Sequence, residues 1–223
     1  GDYIDVGFNV ITSHLSADPA NLYLFAEHVF LLENGLDDPS LFIVSKNDND
    51  NVNKGWIFIY DKNPITNQYE LSFSYGNPNL QSGTFGYKAS VSENHEHVIL
   101  IDYPSNIYTF SRMLGGDWKA NLDIQSMPFT GTPTRVSISN DGFSAVACEL
   151  NSKCKVFSRA AIGNPWTEFT ELTKPTGYTQ FGSSVSINNN HVFICSSGWV
   201  NAVNANGKLS VYDKNIGKNS YDF

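Results

Sequence analysis

Val136-Ser137-Ile138-Ser139-Asn140-Asp141-Gly142 opens the stretch that decides the fold. It continues as Phe143–Cys148 (FSAVAC) and Lys153–Arg159 (KCKVFSR) and closes on Trp166. Apolar and small polar residues alternate in the first segment with period two, the spacing of side chains along a β-strand. Asn140-Asp141-Gly142 supplies the positive φ that a tight reversal needs. The next two segments are short runs rich in valine, alanine, cysteine and phenylalanine. The whole reads as an antiparallel meander that ends on an aromatic, Phe157, with a basic residue two positions later.

The same pattern recurs along the chain. The closing aromatic is Tyr60, Phe110, Phe157 and Tyr212, at steps of 50, 47 and 55 residues. The basic residue two positions on is Lys62, Arg112, Arg159 and Lys214, and a second aromatic follows at Tyr69, Trp118, Trp166 and Tyr221. Upstream, Val91-Ser92-Glu93-Asn94 and Val185-Ser186-Ile187-Asn188 align with the opening stretch, each before an apolar run, Val98–Ile101 and Val192–Cys195. The first unit, with Val29–Asn34 and Leu41–Val44, diverges most.

Ile57-Phe58-Ile59-Tyr60 and its counterparts are β-branched and aromatic runs bounded by Gly, Asn and Asp, as strands are. No long segment holds a 3.6-residue period, so helix is expected to be scarce. A unit of this size, with about four strands, cannot bury both faces of its own sheet. Stacking such units radially buries sheet against sheet. The expectation is therefore an all-β protein, a β-propeller of four (or five) blades with about four antiparallel strands per blade. It is read as one domain over 1–223, with units at 25–72, 84–124, 131–172 and 180–223. Residues 1–24 supply a terminal strand or a degenerate extra blade.

Phe85-Gly86, Phe181-Gly182 and the Ser-Val-Ser-Ile strand that follows the latter resemble FG-GAP repeats. These are the blades of integrin-α-type propellers and of repeats in microbial and protist surface proteins. The resemblance spans Phe25–Tyr221, and it implies a propeller and an extracellular or cell-surface setting. The chain departs from the pattern in places. Phe-Gly becomes Phe25-Ala26 in the first unit and is lost around Thr132-Pro133-Thr134 in the third. The Gly-Ala-Pro element after the second strand is missing throughout. WD-type repeats are the rival label, which Lys208–Asp213 would suit.

Composition narrows the partners. A net charge of −8 and a pI near 5 leave no basic excess to displace counterions, which argues against nucleic acid and anionic membranes. No apolar run is long enough for a helical membrane span. Cys148 and Cys154 fall on adjacent strands of one unit, which can bring their Cβ atoms close enough for a disulfide in an oxidising compartment. The alternative is two buried thiols. Cys195 takes the blade position of Cys148 and reads as a small core residue. There is no Asn-x-Ser/Thr acceptor site in the chain.

The best metal candidates are Asp48 and Asp50, in the loop Asn47–Gly55. Alternating carboxylates and amides there offer the oxygens that Ca²⁺ takes, although the spacing is not that of an EF-type loop. Glu93, His95 and His97 would share a face if extended, but they fall on a turn that breaks the alternation. The binding candidates are aromatics placed at or beside turns: Trp199, in the long insert of the last unit, with Tyr87, Tyr103 and Tyr178. Such side chains anchor protein partners or stack on sugar rings. No catalytic residues are assigned. The expected function is a non-catalytic binding, adhesion or structural module with a protein or glycan ligand on a loop face. The alternatives are a carbohydrate-binding lectin and, further off, a propeller glycosidase or lyase.

Overall fold

The computed structural model describes residues 28–32, 40–45, 55–76, 84–112, 118, 122–176, 179–196, 207–215 and 220–222. These residues form strands and turns, with no helix among them. They make four four-stranded antiparallel sheets, each a meander in sequence order. The first holds β1 (His28–Leu32), β2 (Ser40–Ser45), β3 (Trp56–Lys62) and β4 (Tyr69–Gly76). The second holds β5 (Thr84–Val91), β6 (His97–Tyr103), β7 (Asn106–Arg112) and β8 (Leu122–Met127). The third holds β9 (Arg135–Ile138), β10 (Ser144–Glu149), β11 (Lys153–Ser158) and β12 (Thr167–Thr173). The fourth holds β13 (Phe181–Ile187), β14 (His191–Ser196), β15 (Lys208–Asn215) and β16 (Ser220–Asp222). The chain divides into two compact units, Gly1–Gly86 and Tyr87–Phe223.

In the first unit, Leu41, Ile43 and Tyr60 form a buried apolar cluster on one face of the sheet, with Leu31, Phe58 and Tyr69 packed against it. The opposite face carries Phe42, Val44, Ile57 and Ile59, all fully buried. Tyr75 and Phe85 meet at a ring-centroid distance of 6.5 Å.

In the second unit the strands of the third sheet bury both faces, because a sheet lies against each. Ala145, Ala147 and Phe157 pack with Ile99, Ile101 and Ile107 of the preceding sheet. Val146, Cys148, Cys154 and Val156, one residue out of phase, pack with Val192, Ile194 and Tyr212 of the following sheet. The period of two thus serves two cores at once. Within this unit the face a sheet turns toward the next is its forward face, and the other is its backward face.

The hairpins joining the first two strands of each sheet in this unit are built alike. Ser139 Oγ donates to Asp141 Oδ1 at 2.6 Å and accepts the Ser144 amide at 2.9 Å. Ser92 Oγ donates to Asn94 Oδ1 at 2.6 Å and accepts the His97 amide at 3.0 Å. In the fourth sheet a shorter turn uses the Asn188 carboxamide to accept the Asn190 and His191 amides. These bonds place Ser92, Ser139 and Asn188 at one position. The alignment read from sequence, with Val91 opposite Val136, is therefore two residues out; Val91 corresponds to Ile138. A two-residue slip keeps every side chain on its own face, so alternation alone does not reveal it.

The Phe181-Gly182 pair marks a bulge at the start of β13. The register of β13 on β14 jumps between Phe181 and Ser184, and Gly182 takes φ +79°. Phe181 is fully buried in the core shared with the third sheet. A Cβ on Gly182 would fall 2.9 Å from Cys148 Cβ. Where the third sheet lacks Phe-Gly, one bond of the motif survives. Thr134 Oγ1 donates to Cys148 O at 3.2 Å, as Ser183 Oγ donates to Cys195 O at 3.2 Å.

Candidate functional site: one end of the second unit

Tyr103 closes β6 and is followed by a cis peptide to Pro104. Its side chain is 38% exposed. The Tyr87 ring lies beside it, centroids 5.2 Å apart and tilted by 48°. Lys88 Nζ sits 5.6 Å from the Tyr87 ring centroid. The sequence reading placed Tyr87 beside a turn. It lies instead within β5, partly buried and packed on the core between the second and third sheets. Tyr87 supports, and Tyr103 is presented.

The registers Ile101↔Ile107 and Cys148↔Cys154 make Leu150 the counterpart of Tyr103 in the third sheet. Leu150 is 43% exposed. Polar groups adjoin it: Asn151 Oδ1 accepts from Lys174 Nζ at 3.3 Å and from the Gln180 amide at 3.1 Å. This end of the unit thus shows an aromatic and an aliphatic side chain at equivalent turn positions of two sheets. Leu150 carried no signal in the sequence beyond its place in a turn. Trp199 falls in the corresponding connection of the fourth sheet by sequence order. Trp199, Tyr178, Asp48 and Asp50 lie outside the described residues. Among the described residues no three His, Cys, Asp or Glu side chains group as metal ligands do.

The opposite end holds a buried polar network that sequence only hinted at. The Arg159 side chain is fully buried. Its Nε donates to Gly142 O at 2.9 Å, one terminal nitrogen to Ser111 Oγ at 2.7 Å, and the other to Asp123 Oδ2 at 3.2 Å. The guanidinium lies 4.7 Å from the Trp166 ring, and Trp166 Nε1 donates to Thr109 Oγ1 at 2.9 Å. Ser111, Asp123 and Thr109 belong to the second sheet; Arg159 and Trp166 follow and precede strands of the third. Burial lowers the pKa of Arg159, and the Asp123 carboxylate opposes that shift. A guanidinium stays charged there because every face finds an acceptor or a ring. Arg112, at the same repeat position, pairs within its own sheet, with Glu96 at 3.4 Å.

His97, placed by its sequence on a turn, is the first residue of β6 and is buried against this network. A Cβ on Gly142 would fall 2.2 Å from its ring. Burial holds its imidazole down at about 4, the Arg159 guanidinium pushes the same way, and the Asp141 carboxylate partly opposes them. Glu93 accepts a hydrogen bond from Asn140 of the next sheet. His95, at φ +59°, makes the turn. Glu93 and His97 thus belong to contacts with the third sheet, and the three side chains do not converge as a metal site.

Cys148 and Cys154 form a disulfide between directly opposed residues of β10 and β11. Cys195 is a free cysteine and only partly buried, not the core residue its position suggested. The face it occupies, unlike that of Cys148, is not fully covered.

No family model matches the sequence, and no curated protein is similar to it. Solved structures are similar in fold. The β-propeller domain of Cps50 (Swd1) from Myceliophteria thermophila superposes with a TM-score of 0.50 at 14% identity, over 78% of this chain and 49% of that one. Two structures of Sqt1 from Chaetomium thermophilum give TM-scores of 0.51 and 0.52 at 12% and 11% identity, each over 78% of this chain and 41% and 40% of theirs. The chain therefore spans half or less of the length of these three structures. With the four meandering sheets, these likenesses establish an all-β propeller fold.

Proposed function

We propose that this chain is a non-catalytic, protein-binding propeller module, and that its ligand docks on the end of the second unit carrying Tyr103, Pro104 and Leu150. The observation that carries this reading is the pair of apolar side chains exposed at the same turn position of adjacent sheets. Tyrosine and its neighbouring proline give contact area at small cost in conformational freedom, which suits a protein anchor. The Tyr87 ring packs beside that of Tyr103. The net charge of −8 favours a partner that is neutral or basic over one that is anionic. Among the described residues, Asp123 and Glu96 are each engaged by an arginine, and Glu168 and Glu171 share Lys155, so these carboxylates are held in ion pairs.

The test is selection from a displayed peptide library on the intact chain. Selected peptides are expected to lose at least about tenfold in affinity, about 1.4 kcal/mol, on Tyr103→Ala combined with Leu150→Ser. Binding that ignores both substitutions overturns the reading. A second reading, a lectin, is supported by the exposed tyrosine face alone; hits on a glycan array that vanish in Tyr103→Ala would select it.

Two further features of the setting belong to this proposal. The Cys148–Cys154 disulfide supports residence outside the reducing cytosol, at the cell surface or beyond it. The Phe85-Gly86 and Phe181-Gly182 pairs, whose glycines take φ +77° and +79°, support kinship with FG-GAP-type repeats.

A further inference from the structure

The chain has three arginines, Arg112, Arg135 and Arg159. Arg112 pairs with Glu96 and Arg159 with Asp123. Arg135 is half-buried and pairs with no carboxylate among the described residues. It opens β9, directly opposite Cys148 on the forward face of the third sheet. Its Nε donates to Ser183 O of the fourth sheet at 2.9 Å, and one terminal nitrogen donates to Thr134 O at 2.7 Å. These bonds fix the plane of the guanidinium but bring no countercharge. The other terminal nitrogen has no hydrogen-bond partner among the described residues. The acid next along β10, Glu149, holds its carboxylate near Gly131 instead, where a Cβ would fall 2.8 Å from Oε2.

The neighbouring sheet puts a second cation at the same place. Ser92 and Ser139 occupy one hairpin position, and the fourth residue before each is Lys88 and Arg135 respectively. Lys88 is also half-buried, with Nζ 5.6 Å from the Tyr87 ring centroid, and forms no ion pair among the described residues. In a chain with 22 acidic and 14 basic residues, two adjacent repeats thus each keep an uncompensated cation on the first strand. The buried Lys155 shows the opposite arrangement, with Glu168 at 2.7 Å.

We propose that Arg135, assisted by Lys88, binds an oxyanion, a carboxylate or a phosphate group, at the end of the second unit where Cys148 leads into the turn at Leu150. A guanidinium locked by two carbonyls is already oriented for such a group, so little freedom is lost on binding. Its remaining N–H groups are donors without an acceptor, and the hydrogen bonds they offer an oxyanion are charge-assisted. Lys88 adds attraction at longer range. The net charge of −8 works against a polyanion as a whole. A single oxyanion at hydrogen-bonding distance lies well inside the Debye length, beyond which the other charges are screened. The site is defined by Arg135 and Lys88 alone and does not require the docking of a protein on Tyr103 and Leu150.

The Nε–H resonances of the three arginines test this on the full chain. That of Arg135, held by Ser183 O, is identified by its absence from Arg135→Gln, or from Arg135→Lys should the first variant lose its β-spectrum in circular dichroism. Sodium phosphate and sodium acetate are titrated separately against sodium chloride at constant ionic strength and pH. The Arg135 resonance is expected to shift and saturate with at least one of the two anions, while those of Arg112 and Arg159 stay in place. Saturation with phosphate alone assigns the site to phosphate groups, with acetate alone to carboxylates, and with both to either group. Lys88→Gln is expected to weaken the apparent affinity by about threefold, the scale of one half-exposed charge. An Arg135 resonance that moves with neither anion, or that drifts without saturating in step with the other two, overturns the proposal. An affinity unchanged in Lys88→Gln overturns the pairing of the two cations in one site.

Discussion

Gly142 and Gly182 lie where the preceding sheet comes too close for a side chain. Gly182, Gly142 and Gly163 all have positive φ, but their surroundings differ. A Cβ would fall 2.9 Å from Cys148 at Gly182 and 2.2 Å from His97 at Gly142, with nothing within 4 Å at Gly163. Replacement by alanine should therefore separate backbone strain from collision. Gly163→Ala is expected to cost about 1 kcal/mol from the left-handed backbone alone. Gly182→Ala should cost roughly 2–4 kcal/mol, since overpacking adds to that strain, and Gly142→Ala should cost at least as much. Urea denaturation midpoints measure all three. Equal losses would show that the contacts yield freely.

His97 gives the protein a titration that runs against it in acid. Its folded-state pKa of about 4 lies below the ordinary 6.5, so between those values the unfolded chain takes up a proton that the folded chain refuses. Stability is unaffected by this group above about pH 6.5 and falls as the pH drops toward 4, by up to roughly 3 kcal/mol. Denaturation midpoints at successive pH values are expected to show that slope, and His97→Gln is expected to flatten it. Trp166→Phe, which removes the indole donor to Thr109, should cost about 1 kcal/mol, read as a drop in the denaturation midpoint at neutral pH.

Among the elements, the β10–β11 hairpin is the one tied covalently. The disulfide closes a short loop, with a sequence separation of 6, so the chain-entropy model gives it only about 2 kcal/mol. Reduction should lower the denaturation midpoint by that order, and Cys148→Ser with Cys154→Ser should abolish the sensitivity to reductant. These elements are also where sequence spoke most clearly. Alternation, turn residues and the recurring aromatic placed nearly every strand, because a residue's face and a turn's φ are local properties. The Ser92 alignment came out two residues off because local patterning is blind to a slip that preserves the faces. The identity of the acceptors of Arg159 and the burial of His97 escaped for a different reason. Their partners are 36 to 48 residues away in sequence for Arg159, and spacing says nothing about which sheet will lie alongside. Leu150 was missed because exposure at a turn is decided by its neighbours, not by its own type.

At the scale of the whole molecule, the charge balance makes a plain statement. With a net charge of −8, the chain is expected to leave duplex DNA unshifted in a gel at physiological salt, whereas a complex that dissolves steeply with added salt would contradict that. The propeller fold itself follows from sheets that need one another, a fact legible in the period. How a partner is held was not legible, since it depends on side chains from separate repeats meeting at one end.

Arg159 is anchored by its own hairpin and by Ser111 and Asp123 of the sheet before it. A gene segment encoding the third repeat, if copied and inserted elsewhere by unequal recombination, would deliver a guanidinium into an interior that no longer offers those acceptors. Such a duplicate would bury an unpaired cation, at a cost of several kcal/mol. The third repeat is therefore not interchangeable with its neighbours, because its arginine is matched to the acceptors of the sheet before it.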